Sequence, residues 1–565
     1  MSGRLDSVFA AAGVGDQARR YGAVAVAVLS VLYYALYFDA GFNYADDGVY
    51  AQTAYELFLG RDPHTLAIAY GLTWFQIGNA LFTLFGPNYL IVKGLFFGLM
   101  VATNVLVFRV VARHTGSAAF ALAATAIPAL VPAYPATSFY GFCVLINVAA
   151  QMRLARRLSA STIHDGALAG LALSVSFLIR PDFGYIFTAP LALVLMICAR
   201  HENPSGSQAE LAQVRKLLFA VLVGFAAGQL PAVVIAGSNG ALDLLVGQYF
   251  AYPKLLAYYA CAGLGSEVSS LLGCSGGAVS GNLLQRPGLE LIGQLFTGGG
   301  AVAFLVYAPI FCLGGAAVVG ALRAGLWRQR PRMETTAIWI VLVAAGVATL
   351  PHYLLYRPDL AHVANYMPGY TVFAAAIFWW LLHAARPHRP LAARIAATTV
   401  AGLISFQMGV YLVVGLPSVD TGAIGLARGR DDVFRADNGV VVRVNANEKI
   451  YFDFIRQTIT DHSKPGDAIV CLPFCPGFAF MTGRRMLLEN FYADDSFPAS
   501  NPGWLPRTIA LTEQRRPPIV LLLNDAINGT EQSRISAWGA PYIRALDDMA
   551  DEKIEKFGLT FYVIR

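Results

Sequence analysis

A succession of long apolar runs constrains this chain more than any other feature. Roughly eleven runs of about 17–25 residues, the length that crosses a hydrocarbon core, can be traced. They centre on residues 21–38, 88–112, 117–134, 138–156, 166–180, 184–200, 216–237, 299–322, 336–356, 368–385 and 394–416. Of the 565 residues, 56% are hydrophobic and only 13% charged, against roughly 25% charged in a soluble domain. The expected fold is a polytopic α-helical membrane protein. The first run has no small-residue cleavage site at its end, so it reads as a retained anchor.

Charge placement gives the runs a direction. With a cytoplasmic N-terminus, the inside segments hold Arg4, Arg19 and Arg20; Arg109 and Arg113; and Arg153, Arg156 and Arg157. Further along they hold Arg200, Arg215 and Lys216; Arg323, Arg328, Arg330 and Arg332; and Arg386, Arg389 and Arg394. The outside segments carry only scattered cations: Arg61, Lys93, Arg180, Lys254, Arg286 and Arg357. This is the alternation that the positive-inside rule requires, and an error of one span would scramble it. The net charge of +6 is dispersed in short clusters, which excludes a nucleic-acid footprint.

Between the first two runs, residues 49–58 place Val49, Tyr50, Thr53, Ala54, Leu57 and Phe58 at helical spacing, with Gln52 and Glu56 opposite. A helix lying along the bilayer surface is expected there. The stretch Tyr70 to Phe85 is too short and too polar at Gln76 and Asn79 for a confident crossing, and is expected to be a second interfacial helix. The outside loop from about residue 238 to 297 is long enough for a lid or binding loop as much as a plain surface loop. After Gly415 the chain turns polar. Two domains are expected, residues 1–416 in the membrane and 417–565 as a small α/β domain on the outer face. Its elements read as a helix over Asn447–Asp461, strands over Ala468–Leu472 and Pro518–Leu523, a helix over Pro541–Lys556 and a last strand over Leu559–Ile564.

Cys261, Cys274, Cys471 and Cys475 all fall outside, an even number in an oxidising compartment. Cys261 and Cys274 are expected to pair. Cys471 and Cys475 can bridge as well, or stand as two thiols beside a strand end.

The groups suited to chemistry also gather on the outer side, where ionisable residues are expensive unless paired or used. Asp46 and Asp47 are adjacent carboxylates just after the first run. One suffices as a helix N-cap. Two can divide labour, one accepting a proton from a hydroxyl while the other orients it or binds a divalent metal. Repulsion between them also raises one pKa toward the range of a general base. The tripeptide Arg-Pro-Asp occurs twice at span ends, Arg180-Pro181-Asp182 and Arg357-Pro358-Asp359. Its guanidinium fork suits a phosphate, or serves as a helix-end cation paired with its Asp. His352 and His362 flank the second copy, and Arg286 and Lys254 lie in the long loop. Tyr50 and Glu56 would line the same hollow. Trp74, Tyr89, Tyr134 and Tyr140 read most simply as interface aromatics.

With these residues in view, the chain resembles a family. The run Asp46-Asp47-Gly48-Val49-Tyr50-Ala51, then Leu59-Gly60-Arg61-Asp62, Trp74-Phe75 and Leu84-Phe85-Gly86-Pro87-Asn88, is similar to the first-loop pattern of membrane glycosyltransferases of the C-type fold. Lys464-Pro465-Gly466-Asp467, Pro473, Thr482-Gly483-Arg484-Arg485 and the Phe557–Tyr562 end resemble their tail. The nearest groups are the protein O-mannosyltransferases and the bacterial transferases that place aminoarabinose or galacturonic acid on lipid A. The chain departs from the pattern in its Asp-Asp pair and in having Tyr70-Gly71-Leu72-Thr73 where a Lys-Pro-Pro is common.

The resemblance implies a polyprenyl-phosphate sugar donor and an inverting attack by an acceptor hydroxyl of a glycan, lipid or protein. It also implies a bacterial inner-membrane location with a periplasmic C-terminal domain. Asp46 or Asp47 would be the base, and Arg357, with Arg180 or Arg286, would stabilise the departing phosphate. A transporter or flippase of lipid-linked glycans is the competing class, and a polymerase or ligase a third. A transporter would show repeated halves and polar residues at the bilayer midplane, whereas here the ionisable groups sit at span ends.

Overall fold

The computed structural model describes residues 12–66, 72–156, 162–202, 208–250, 304–305, 333–350, 360–384, 391–418, 423–495, 498, 501–526 and 531–565. The apolar runs fold as helices: α1 Ala12–Ala35, α4 Tyr89–Thr115, α5 Ala118–Leu130, α6 Phe139–Arg156, α7 Ile163–Ile179, α8 Pro181–Glu202 and α9 Gln208–Ser238. They continue with α10 Met333–Val347, α11 Leu360–Ala384 and α12 Leu391–Gly415. Nearly all of the run over 299–322 lies outside the described residues. Two shorter helices, α2 Asp46–Phe58 and α3 Leu72–Phe85, occupy the loop between α1 and α4.

Local chemistry sets several of the boundaries. The Asn88 side chain accepts from the Leu90 N–H to open α4, and Gly116 closes it with φ of 73°. Thr162 and Asp165 form a reciprocal capping box at the start of α7.

Among the described residues four segments are long and apolar enough to cross a membrane: Tyr89–Thr115, Pro135–Arg156, Arg215–Ser238 and Arg394–Gly415. Four more apolar helices are shorter. The second half of α9 leaves Leu218, Phe219, Leu222, Val223, Leu230 and Val234 exposed, a face that only lipid would cover without cost. Its other face packs on α7 through small residues. A Cβ on Gly170 would lie 1.9 Å from the Val221 carbonyl, and one on Gly224 2.0 Å from that of Ala167. Such close backbone approach is how apolar helices hold together where no hydrophobic drive separates helix from lipid.

The C-terminal part is an α/β layer. The short helix α13 Ala423–Ala427 leads to strands β1 Asp432–Arg435 and β2 Val441–Val444, an antiparallel pair, followed by α14 Ala446–His462. A five-stranded sheet has the order β4-β3-β5-β7-β6, with β3 Ala468–Leu472, β4 Arg485–Met486, β5 Ile519–Leu523, β6 Glu552–Lys556 and β7 Leu559–Val563. Strands β3, β4 and β5 are parallel, and β7 runs antiparallel to both neighbours. The helix expected over Pro541–Lys556 is instead the helix Ala540–Met549 followed by strand β6. Its alternating Glu552, Lys553, Ile554, Glu555 and Lys556 suit a solvated edge strand.

This layer roofs the loop that carries α2. Arg443 donates to the Asp39 carboxylate at 2.8 Å, and the Arg443 backbone exchanges hydrogen bonds with Asp39 and Gly41. The Gly477 N–H donates to the Tyr44 carbonyl at 2.8 Å. Gly48 and Gly477 meet so closely that a Cβ on Gly48 would lie 2.6 Å from the Gly477 nitrogen.

Consequently α2 does not lie on a bilayer surface with a polar face to water. Asp47, Gly48 and every residue from Tyr50 to Leu57 are buried. Its polar side faces the α/β layer and its apolar side faces α3.

Candidate functional site: an acidic pair beneath the C-terminal layer

Asn43 shapes the start of α2. Its side-chain oxygen accepts from the backbone N–H groups of Ala45 and Asp46, both at 2.9 Å. Its own N–H donates to the Tyr89 hydroxyl at 3.2 Å. That hydroxyl in turn donates to Asp47 Oδ2 at 3.0 Å. One turn along α4, Lys93 Nζ donates to the carbonyls of Ala40 at 3.0 Å and Gly41 at 3.3 Å. It lies 5.6 Å from the Tyr89 ring centre.

Asp46 and Asp47 therefore have different surroundings. Asp47 is only 2% exposed, whereas Asp46 is exposed. The second oxygen of Asp47, Oδ1, has no hydrogen-bond partner among the described residues. Burial pushes the Asp47 carboxyl up to about 6, opposed by the Lys93 charge and the Tyr89 hydrogen bond and aided by Asp46. Both carboxylates occupy the first turn of α2, where the helix dipole favours negative charge.

Glu56, expected to line the substrate hollow, is fully buried and its oxygens are committed to protein donors. Oε1 accepts from the Met486 N–H at 2.6 Å and from Gln52 at 2.9 Å. Oε2 accepts from Arg485 at 3.2 Å and lies 3.7 Å from Arg61. Gln52 also donates to the Arg484 carbonyl at 3.2 Å. Glu56 thus ties α2 to strand β4.

Tyr50, expected beside Glu56, is buried in an aromatic cluster. Its ring stacks on Phe75 at 5.6 Å and meets Trp74, Phe96 and Phe139 edge-on. The cluster continues from Phe139 to Tyr140, stacked at 5.0 Å, and Arg180 lies over the Tyr140 ring at 4.4 Å. Trp74, Tyr89 and Tyr140 are therefore buried packing residues and not an interface belt, while Tyr134 is half-buried.

Arg180 ends α7 and is itself buried. Its Nε donates to Asp182 at 3.1 Å, and its Nη1 donates to the Tyr140 hydroxyl. Asp182 holds the fork in place, as the tripeptide spacing implies. His362 lies in the first turns of α11 and is half-buried. Arg357, Arg286, Lys254, His352, Asp359 and the pair Cys261 and Cys274 lie outside the described residues. Cys471 and Cys475 form a disulfide with Cα atoms 5.5 Å apart.

Among the described residues no group of three or more His, Cys, Asp or Glu side chains is arranged to hold a metal ion.

Sequence reading missed the roles of Tyr89 and Lys93. They stand at i and i+4 on one helix face. A lone lysine inside an apolar run is itself a signal that a buried partner exists.

Comparison with protein-family models gives no match, and comparison with curated proteins gives none. Among solved structures the chain is similar to the crystal structure of the Archaeoglobus fulgidus oligosaccharyltransferase in complex with Zn and sulfate. The identity is 13% and the TM-score 0.41, over 88% of this chain and 67% of that one. At this identity and TM-score no residue role carries over.

Proposed function

We propose that this protein is a membrane glycosyltransferase that moves a sugar from a polyprenyl-phosphate donor to an acceptor hydroxyl. The observation that carries the reading is the division within the acidic pair: Asp46 exposed at the N-terminus of α2, Asp47 buried behind it with one unpaired oxygen. Two neighbouring carboxylates in unlike environments can take different parts in acid–base chemistry.

In the proposed reaction the acceptor oxygen bonds to the anomeric carbon as the bond to the lipid phosphate breaks. The hydroxyl proton passes to Asp46, the member of the pair that solvent reaches. Asp47, held by Tyr89 and by the Lys93 charge, keeps the start of α2 in place and tunes its neighbour. The departing phosphate requires fixed positive charge where its own charge develops. Arg180, preset by Asp182 and Tyr140, supports that role, and Arg357, Arg286, Lys254 and His362 are its proposed companions.

Asp46→Asn is expected to lower turnover about 10²–10⁴-fold, the usual contribution of a general base, with the fold intact. Asp47→Asn is expected to lower it less, because an amide oxygen still accepts from Tyr89. The measurement is transfer by purified protein from a panel of polyprenyl-phosphate sugars. Full turnover in Asp46→Asn would remove Asp46 from the reaction, and full turnover in the double Asn variant would remove the catalytic assignment of the pair.

A further inference from the structure

The Cys471–Cys475 bridge closes a very short loop. Cys471 stands in β3, and Cys475, four residues on, is the N-cap of the short helix Pro476–Met481. A bridge stabilises a whole fold by restraining the unfolded chain, and that effect shrinks with the length of the loop it closes. Strand β3 is moreover already held, paired with β4 on one side and β5 on the other. The bridge therefore acts locally, through the placement of Cys475. The Cys475 side chain makes no capping hydrogen bond, so the attachment to β3 takes the part that a capping side chain would otherwise play. Both cysteines are fully buried.

The first turn of this helix is the surface on which the start of α2 rests. The Gly477 N–H donates to the Tyr44 carbonyl at 2.8 Å, and the Tyr44 ring stacks on Phe478 at 4.3 Å. The two backbones meet without a side chain between them. A Cβ on Gly477 would lie 2.6 Å from Tyr44 Cα, and one on Gly48 would lie 2.8 Å from Gly477 Cα. Close-packed atoms transmit displacement, and here no flexible side chain is present to absorb it. A shift of the turn passes straight to residues 44–48, which include both carboxylates. At the far end of α2, Glu56 makes the corresponding tie to β4.

We propose that the Cys471–Cys475 bridge is a positioning element of the acidic site. It holds the Gly477 turn against Tyr44 and Gly48, and so sets where Asp46 and Asp47 stand. Its effect on turnover rests on the glycosyl-transfer reading; its effect on the start of α2 does not.

The test replaces both cysteines by alanine in the detergent-solubilised full chain, and reads amide hydrogen exchange together with transfer. Residues 43–50 are expected to exchange about tenfold faster, while β5 and β7 exchange as in the wild type. The kcat should fall about 10–100-fold, as it does when reacting groups are slightly misplaced, with KM for the donor within about twofold. The pH profile of kcat should move as well, because a displaced helix start changes the surroundings of Asp47. A bridge that merely stabilised the fold would lower the profile without moving it. Gly477→Ala keeps the bridge but forces the same backbones apart. It should reproduce all of these changes, and it decides the matter if the cysteine variant does not fold. Wild-type exchange over residues 43–50 in the folded variant would overturn the proposal. So would faster exchange with kcat and its pH profile unchanged, in a protein that Asp46→Asn inactivates. Should the Asp46 and Asp47 variants keep full turnover while exchange over 43–50 rises, the catalytic assignment of the pair fails and the seating of α2 by the bridge stands.

Discussion

Asp47 and Glu56 are two buried carboxylates on one short helix, and the protein treats them differently. Glu56 is met by a backbone N–H, the Gln52 amide and two guanidinium groups. Asp47 has one hydroxyl donor and an ammonium nearby, and one of its oxygens has no partner among the described residues. A buried charge is expensive unless its lone pairs are filled. Glu56 meets that condition and can be explained by architecture alone. Asp47 does not meet it among the described residues, which marks it as a candidate functional residue.

The contrast breaks most visibly at Glu56. Glu56→Ala leaves Arg485, Arg61 and the Met486 N–H without their acceptor in a buried site. It is expected to cost about 3–5 kcal/mol, the range for removing one partner of a buried pair. Thermal unfolding of the purified protein reads the loss, and an unchanged midpoint would show that the contact between α2 and β4 does not hold the loop in place.

Asp47 should respond to pH rather than to removal. Its folded pKa of about 6 lies above the ordinary 3.8. Below about pH 4 both folded and unfolded states hold the proton. Between about 4 and 6 the folded state keeps a proton that the unfolded state has lost, so stability falls as pH rises through that window. Above about 6 the full cost of burying the charge applies, about 2–3 kcal/mol. Asp47→Asn removes this term. The stability difference between variant and wild type should therefore bend between about pH 4 and 6 and be flat on either side. A difference independent of pH would mean that Asp47 does not ionise in place.

Tyr89→Phe sharpens the same point with a smaller effect. Removing its direct donor should cost about 1 kcal/mol and move the window of Asp47 upward by roughly one pH unit. A window that does not move would leave Lys93 as the partner that matters.

These contrasts were only partly legible in the sequence. Apolar runs and capping residues place the helices, and the switch to polar composition after Gly415 marks the sheet. Strand Ala468–Leu472 lies where its apolar run, after the turn Lys464-Pro465-Gly466-Asp467, puts it. The acidic pair stands out for the same local reason: two adjacent charges after an apolar run have to go somewhere. The environment of α2 could not be read that way. Its helical spacing is that of a surface helix, and only the arrival of Arg484, Arg485 and Met486, more than 400 residues away, turns Gln52 and Glu56 inward. Periodicity reports that a helix has two faces. It does not report what covers the second one.

The smallest expected effect tests whether burial, rather than the number of ion pairs, decides these outcomes. His64 has a carboxylate at each ring nitrogen: Asp62 at 2.9 Å from Nδ1, and Asp243 at 3.0 Å from Nε2. Both ring nitrogens can donate only in the imidazolium form. The hydrogen bonds that His64 donates to Asp62 and Asp243 hold its pKa above the ordinary value. The contribution to stability is thus present below that ordinary value and is lost as pH rises through the raised one. By count of partners His64 rivals Glu56, and it links the loop before α3 to the helical residues 242–250. All three side chains are exposed, however, and solvent and salt screen such pairs. His64→Asn should accordingly leave the thermal midpoint unchanged at physiological salt at any pH from 5 to 8. A drop as large as that of Glu56→Ala would mean that exposed partners can hold this loop as firmly as buried ones, and the distinction drawn between Glu56 and Asp47 would then lose its physical basis.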